Sequence, residues 1–131
     1  MWLIIFVKKE YSSQVTKIHS SSIAKGVGNF LGNKGGVAKS FMIRNRLFSF
    51  IAVHLKHGQN KSDARNEMAS QLMREMQLTN LQSQIGGLEI DQIADFSFFM
   101  GDLNYRLNTT FEDLNNSNTL EALEMVGTKK E

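Results

Sequence analysis

Phe98-Phe99-Met100-Gly101-Asp102-Leu103-Asn104-Tyr105-Arg106 decides how this chain is read. Its apolar residues predict a buried strand, and the glycine after them lets the backbone turn sharply into Asp-Leu-Asn. In an extended chain Asp102 and Asn104 project to the same side, because side chains alternate along a strand. A carboxylate beside a carboxamide suits holding a water for attack on a phosphorus centre. Arg106 adds a rigid fork of donors that matches phosphate oxygens. The same residue types also make an ordinary turn. This segment alone leaves catalysis and a structural turn equally open.

Working outward, Val37 to Ile43 and Leu47 to Leu55 are apolar and β-branched or aromatic, and Arg44-Asn45-Arg46 joins them as a hairpin turn. Leu47 to Leu55 has apolar residues on both faces, which predicts a central, covered strand. Residues 61–80 switch to helical spacing, with Met68, Ala69, Leu72, Met73 and Met76 on one stripe and Arg65, Glu67, Arg74 and Glu75 off it. Asn60, three residues before Asp63, is the expected start signal. The stripe is core packing, not a cofactor box. At the front, Trp2-Leu3-Ile4-Ile5-Phe6-Val7 predicts a buried strand at 2–8, too short to cross a bilayer. A second extended stretch at 14–24 leads into a glycine-rich loop from Gly26 to Gly36. A short helix is expected after Thr110, anchored by Phe111, Leu114, Leu120 and Leu123. Strands joined both by a hairpin and by a helix imply an α/β fold with a mixed sheet covered on its faces.

The 131 residues have the length of one ordinary domain, and 41% apolar residues suffice for a core. There is no cysteine, which excludes disulfides and thiolate metal sites and fits a reducing, cytoplasmic setting. Charge is lopsided: residues 1–65 carry 11 Lys/Arg against 2 Asp/Glu, and residues 66–131 carry 4 against 11. An anionic ligand near the first half and a merely solvated basic face both fit that asymmetry. The basic half lacks interleaved aromatic platforms, so nucleic acid is not the expected partner.

Gly32-Asn33-Lys34-Gly35-Gly36-Val37 embeds one lysine among glycines whose backbone amides can approach an anion closely. It lacks the Gly-Lys-Ser/Thr of a nucleotide-binding P-loop. His54, at the end of the central strand, is placed either as a structural histidine or as a donor to a phosphoryl oxygen. His54 and His57 have no third ligand at a metal spacing, which sets zinc aside. Arg65-Asn66 opens the helix, where anions are favoured, although the pair is generic by itself.

Taken together, Gly-Asn-Lys-Gly-Gly-Val, a strand ending His-Leu, Arg-Asn opening a helix, and apolar-Gly-Asp-Leu-Asn-Tyr-Arg closely resemble the inositol polyphosphate 5-phosphatase family. The Ser-Ser-x-Ala-x-Gly-x-Gly run before the lysine loop is also similar, and the resemblance extends to about Leu114. It implies a deoxyribonuclease I-like four-layer α/β sandwich and a magnesium-dependent phosphomonoesterase. The substrates implied are phosphoinositide headgroups or soluble inositol polyphosphates, with peripheral contact at the cytosolic face of membranes. Carried onto matching positions, Asp102 and Asn104 orient the attacking water, Asp102 acting as base, and His54 hydrogen-bonds the reacting phosphate. Tyr105 and Arg106 bind the neighbouring 4-phosphate, Asn33 and Lys34 lie toward the 1-phosphate, and Arg65 and Asn66 support the site.

The family's principal metal-binding Glu, an early Asn, a Pro-x-Trp-Cys-Asp-Arg motif and a closing Ser-Asp-His motif have no counterpart in these residues. The chain is therefore expected to be the central portion of a catalytic domain, with no metal ligand of its own. Low stability and low phosphatase activity are expected of residues 1–131 alone. A non-catalytic inositide binder that keeps the phosphate grip is the second reading. An endonuclease or sphingomyelinase shares the Gly-Asp-x-Asn turn, but Tyr105-Arg106 and the lysine loop favour inositides.

Overall fold

A computed structural model of the protein describes residues 1–25, 33–79 and 89–106. The helix expected after Thr110 and the glycines from Gly26 to Gly32 lie outside the described residues. Among those described, β1 (Thr16–Ala24), β2 (Gly35–Ile43), β3 (Arg46–His54) and β4 (Phe96–Asp102) form one sheet in that order. Strands β1, β2 and β3 pair antiparallel, and β4 pairs parallel to β3. Helices α1 (Ser62–Glu75) and α2 (Ile90–Ile93) lie in the connection between β3 and β4. The expected mixed α/β sheet is the one observed, with the apolar run at 47–55 at its interior.

The β2–β3 hairpin closes through Arg44 and Asn45, with φ of 50° and 61°. Two consecutive left-handed residues make the turn whose twist matches that of the flanking strands. No described helix is long and apolar enough to cross a membrane.

Alternation along the strands separates the two sheet faces. One face carries Ala38, Ile51 and Val53, against which α1 lays Met68, Leu72 and Met76; Leu55, Leu78 and Ile90 complete this buried core. Each fully buried aliphatic side chain contributes about 1.5–3 kcal/mol relative to exposure. A Cβ at Gly36 would meet the methyl of Met76, the movable far end of that side chain, so the close packing of Met76 over this strand uses the space that glycine leaves. The buried hydroxyls on this face are satisfied: Ser40 donates to the Leu78 carbonyl, and Ser49 and Ser97 hydrogen-bond at 2.8 Å.

The opposite face is a row of phenylalanines. Phe41 stacks on Phe48 and Phe50, Phe48 on Phe96, and Phe50 on Phe98, with ring centroids 4.8–6.0 Å apart. Phe96 and Phe98 remain 49% and 45% exposed, so β4 is not the buried strand its apolar run suggests. Coverage of both sheet faces is likewise not found among the described residues. Among them, only the helix-bearing face is closed.

Two local expectations are also corrected. Residues 1–8 form no strand, and Trp2, Ile4 and Phe6 are exposed. An apolar run alone does not make a strand; its amides need a partner ladder. Helix α1 is preceded by Lys61 and not by Asn60, and no side chain caps it. Asn60 instead takes a left-handed turn conformation, φ 54°.

Asp95 pins the start of the β3–β4 ladder, accepting from the Leu47 amide at 2.8 Å and from Arg46 Nη1 at 2.7 Å. The Leu47 N–H and then the Arg46 guanidinium hold its carboxyl below the ordinary carboxylate range. A depressed folded-state pKa supplies stability that is present above the unfolded value and lost as pH falls through the folded one. Acidification below about pH 4 is therefore expected to cost the native protein more than Asp95→Asn, as read by denaturation midpoints across pH. Leu72→Ala, at the centre of the helix–sheet contact, is expected to cost about 2–5 kcal/mol in chemical denaturation.

Candidate active site

Strand register brings the candidate groups into one row. Gly35 of β2 pairs with His54 of β3, and His54 pairs with Asp102 of β4. Lys34 sits one residue before the start of β2, so three strand ends converge on one edge of the sheet. Lys34 Nζ lies 2.5 Å from His54 Nε2, and Asp102 Oδ2 lies 3.3 Å from the same nitrogen. Nε2 meets these neighbours in two alternative states. As a lone pair it accepts from the Lys34 ammonium; as an N–H it donates to the Asp102 carboxylate. His54 is thus placed to hold or release a proton between a cation and an anion. Its side chain is 30% exposed and that of Asp102 60%, so both remain open to solvent and to a ligand.

The turn after β4 is locked to the end of β3. The Leu55 amide donates to the Asp102 carbonyl at 2.9 Å, and Asn104 Nδ2 donates to the Leu55 carbonyl at 2.9 Å. The Asn104 amide closes on Asp102 Oδ1 at 3.1 Å, an Asx turn. Asn104 has φ 55°, so it does not continue the strand. The expectation that Asp102 and Asn104 project to one side of an extended chain fails for this reason. The Asn104 amide nitrogen ties two strand ends together, which leaves its side-chain oxygen as the group available to a ligand.

A second cluster adjoins the first. Tyr105 donates its hydroxyl to Asn66 Oδ1, and the Arg65 guanidinium carbon lies 5.3 Å from the centre of the Tyr105 ring. Arg65 is 2% exposed, and its Nη1 donates to the Gly58 carbonyl at 2.8 Å. Arg65 therefore sits on the buried stripe of α1, with Met68 and Leu72, and not off it. The spacing 65-68-72-76 carried that signal, obscured by the assumption that a charged residue faces solvent. Asn33 is exposed beside Lys34, where the two line a groove with Ser22, Ala24 and Val37. Arg106, exposed, is the last described residue of that segment. The structure thus joins Lys34, His54, Asp102 and Asn104 by direct contacts, and Arg65, Asn66 and Tyr105 by a second set.

Asp102 is the only carboxylate among these contacts. No group of three His, Asp or Glu side chains among the described residues converges on a common point. By themselves the described residues do not fit a divalent cation.

Comparison with known proteins gives the family and the fold. The family model described as Endonuclease/Exonuclease/phosphatase family 2 matches residues 1–129. Phosphatidylinositol 3,4,5-trisphosphate 5-phosphatase 2 of Sus scrofa is 34% identical over 112 residues, covering 86% of this chain and 9% of that protein. The Homo sapiens protein of the same name is 33% identical over the same length. Phosphatidylinositol 3,4,5-trisphosphate 5-phosphatase 1 of Xenopus laevis is 31% identical and covers 86% of this chain and 11% of its own length. This chain therefore spans about a tenth of the length of these relatives.

Among solved structures, the inositol polyphosphate 5-phosphatase domain of SPsynaptojanin, in complex with inositol (1,4)-bisphosphate and calcium ion, superposes with a TM-score of 0.64. It is 24% identical, and the match covers 81% of this chain and 28% of that one. The likeness bears out the deoxyribonuclease I-like α/β fold.

Gly101 is the backbone hinge of the site: its φ is 118°, and a Cβ there would run into the Val53 carbonyl oxygen. Gly101→Ala is expected to cost about 1–3 kcal/mol or more in denaturation and to shift the amide resonances of His54 and Asp102.

Proposed function

The chain belongs to the endonuclease/exonuclease/phosphatase family 2 and, within it, to the inositol polyphosphate 5-phosphatases, and from that premise we propose that it carries the phosphate-handling groups of a phosphoinositide 5-phosphatase. The observation that carries this reading is the contact series Lys34–His54–Asp102 across adjoining strand ends. Phosphoryl transfer asks a protein mainly for positioning and charge neutralisation, with a base that orients the attacking water. Asp102 would take the proton from that water. His54 would donate to a phosphoryl oxygen, and its nearness to Lys34 and Asp102 supports a proton moving through Nε2.

Lys34 and Asn33 would meet the 1-phosphate side of the inositol ring. Tyr105 and Arg106 would grip the 4-phosphate, the Tyr105 hydroxyl turning its one proton from Asn66 Oδ1 to a phosphate oxygen. Asn104 would hold the turn and offer its side-chain oxygen to the water. Burial of Arg65 argues against direct ligand contact and for a supporting role. The substrate class proposed is phosphoinositide headgroups, with soluble inositol polyphosphates sharing the same ring chemistry, met at the cytosolic face of membranes. The Mg2+ that this reading calls for would be bound by parts of the complete catalytic domain beyond the described residues. Residues 1–131 would then be its central portion, and activity a property of the whole.

A second reading, an inositide binder without turnover, is favoured by the single carboxylate among the site contacts. Magnesium-dependent phosphate release from phosphatidylinositol 3,4,5-trisphosphate, measured on the purified protein and on the complete catalytic domain that contains it, tests both. Release by the complete domain is expected, with His54→Ala and Asp102→Asn each slowing it by about 100- to 10,000-fold. Headgroup binding without release from the complete domain would establish the binder. Undiminished release from both variants would overturn the assignment.

A further inference from the structure

Arg65 is the most deeply buried charged residue described, and little in its surroundings repays that burial. It is 2% exposed and has no carboxylate partner among the described residues. Its Nη1 donates to the Gly58 carbonyl at 2.8 Å, and its Nε is buried without an acceptor among the described residues. Burying a guanidinium with donors unsatisfied opposes stability, because the lost hydration is only partly replaced. What the placement accomplishes is a stack: the guanidinium carbon lies 5.3 Å from the centre of the Tyr105 ring. A cation at that distance attracts the ring face, most strongly where water is excluded. The ring is then held from below by Arg65 and at its hydroxyl by Asn66, the next residue of α1.

We infer that Arg65 is a positioning residue: anchored on the loop carbonyl of Gly58, it sets the plane of the Tyr105 ring and thereby the affinity of the site for the phosphate that the Tyr105 hydroxyl meets. The affinity clause rests on the phosphatase reading above; the ring-plane clause does not. Gly58 has φ 114°, and its carbonyl belongs to the segment joining β3 to α1. Arg65 therefore links three pieces of chain: the segment that leaves His54, the first turn of α1, and the turn that follows Asp102. Lysine in its place would keep a cation under the ring but would lose the planar fork that reaches the carbonyl and the ring together.

The protein has 2 tyrosines, so Tyr11→Phe leaves Tyr105 as the only source of tyrosine ring resonances. In that background Arg65→Met and Arg65→Lys are compared by the Tyr105 ring spectrum and by calorimetric titration with inositol 1,4-bisphosphate. Arg65→Met is expected to shift the ring resonances and to weaken binding by about tenfold, and Arg65→Lys to recover part of both. Unmoved ring resonances in Arg65→Met, equal losses in the two variants, or shifted resonances with unchanged affinity would each overturn the inference. A native protein that binds no inositol 1,4-bisphosphate overturns the affinity clause alone; the ring spectrum still decides the positioning role, and phosphate release by the complete domain decides the phosphatase reading. If Arg65→Met does not fold, a double-mutant cycle of Arg65→Lys and Tyr105→Leu reads the coupling in stability: non-additive losses support the stack, and additive losses refute it.

Discussion

The parallel pairing of β3 with β4 is the constraint on which the site depends. A slip of one residue along that ladder would turn Asp102 to the helix-covered face and remove it from His54. The register is held at both ends. Asp95 grips Arg46 and the Leu47 amide where the ladder begins, and the Leu55, Asp102 and Asn104 backbone and amide contacts close it where it stops. Between them Gly101 lets the β4 backbone come within reach of Val53, an approach no side chain would permit. Parallel strands need a long crossover, so α1 and α2 lie in that connection and bring Arg65 and Asn66 to the same edge of the sheet.

Helix α1 serves stability and site geometry with one stripe. Met68, Leu72 and Met76 fill the space over Ala38, Ile51 and Val53, and the same row begins with Arg65 under Tyr105. Packing of the apolar part fixes the rotation of the helix about its axis. The position of the guanidinium follows from that rotation. An interior packed to crystal-like density transmits such constraints with little slack, so core and site are mechanically one unit.

Much of this was legible in the residues alone. The apolar runs at 37–43 and 47–55, the hairpin between them, the helical stripe from Met68 to Met76 and the strand before Gly101 are all present, because each carries its own periodicity. The proposed site groups were singled out by their order along the chain, and strand register brings Lys34, His54 and Asp102 together. Three readings failed for a shared reason. Trp2 to Val7 looks like a strand, Phe98 to Met100 looks buried, and Arg65 looks solvated, yet each depends on what lies beside it in space. The reach of Asn104 to the Leu55 carbonyl was equally invisible, since its left-handed backbone follows from the turn closing on β3 and not from the composition of the turn.

By itself the sequence determined which chemical groups are present, their order, and the local periods that make strands and a helix, because these depend on neighbours within a few residues. Tertiary structure alone decided that Lys34, His54 and Asp102 share one edge, that α1 closes one sheet face while among the described residues no element covers the phenylalanine face, and that Arg65 lies beneath Tyr105. Those outcomes come from strand register and helix rotation, which are settled by contacts between residues far apart in the chain.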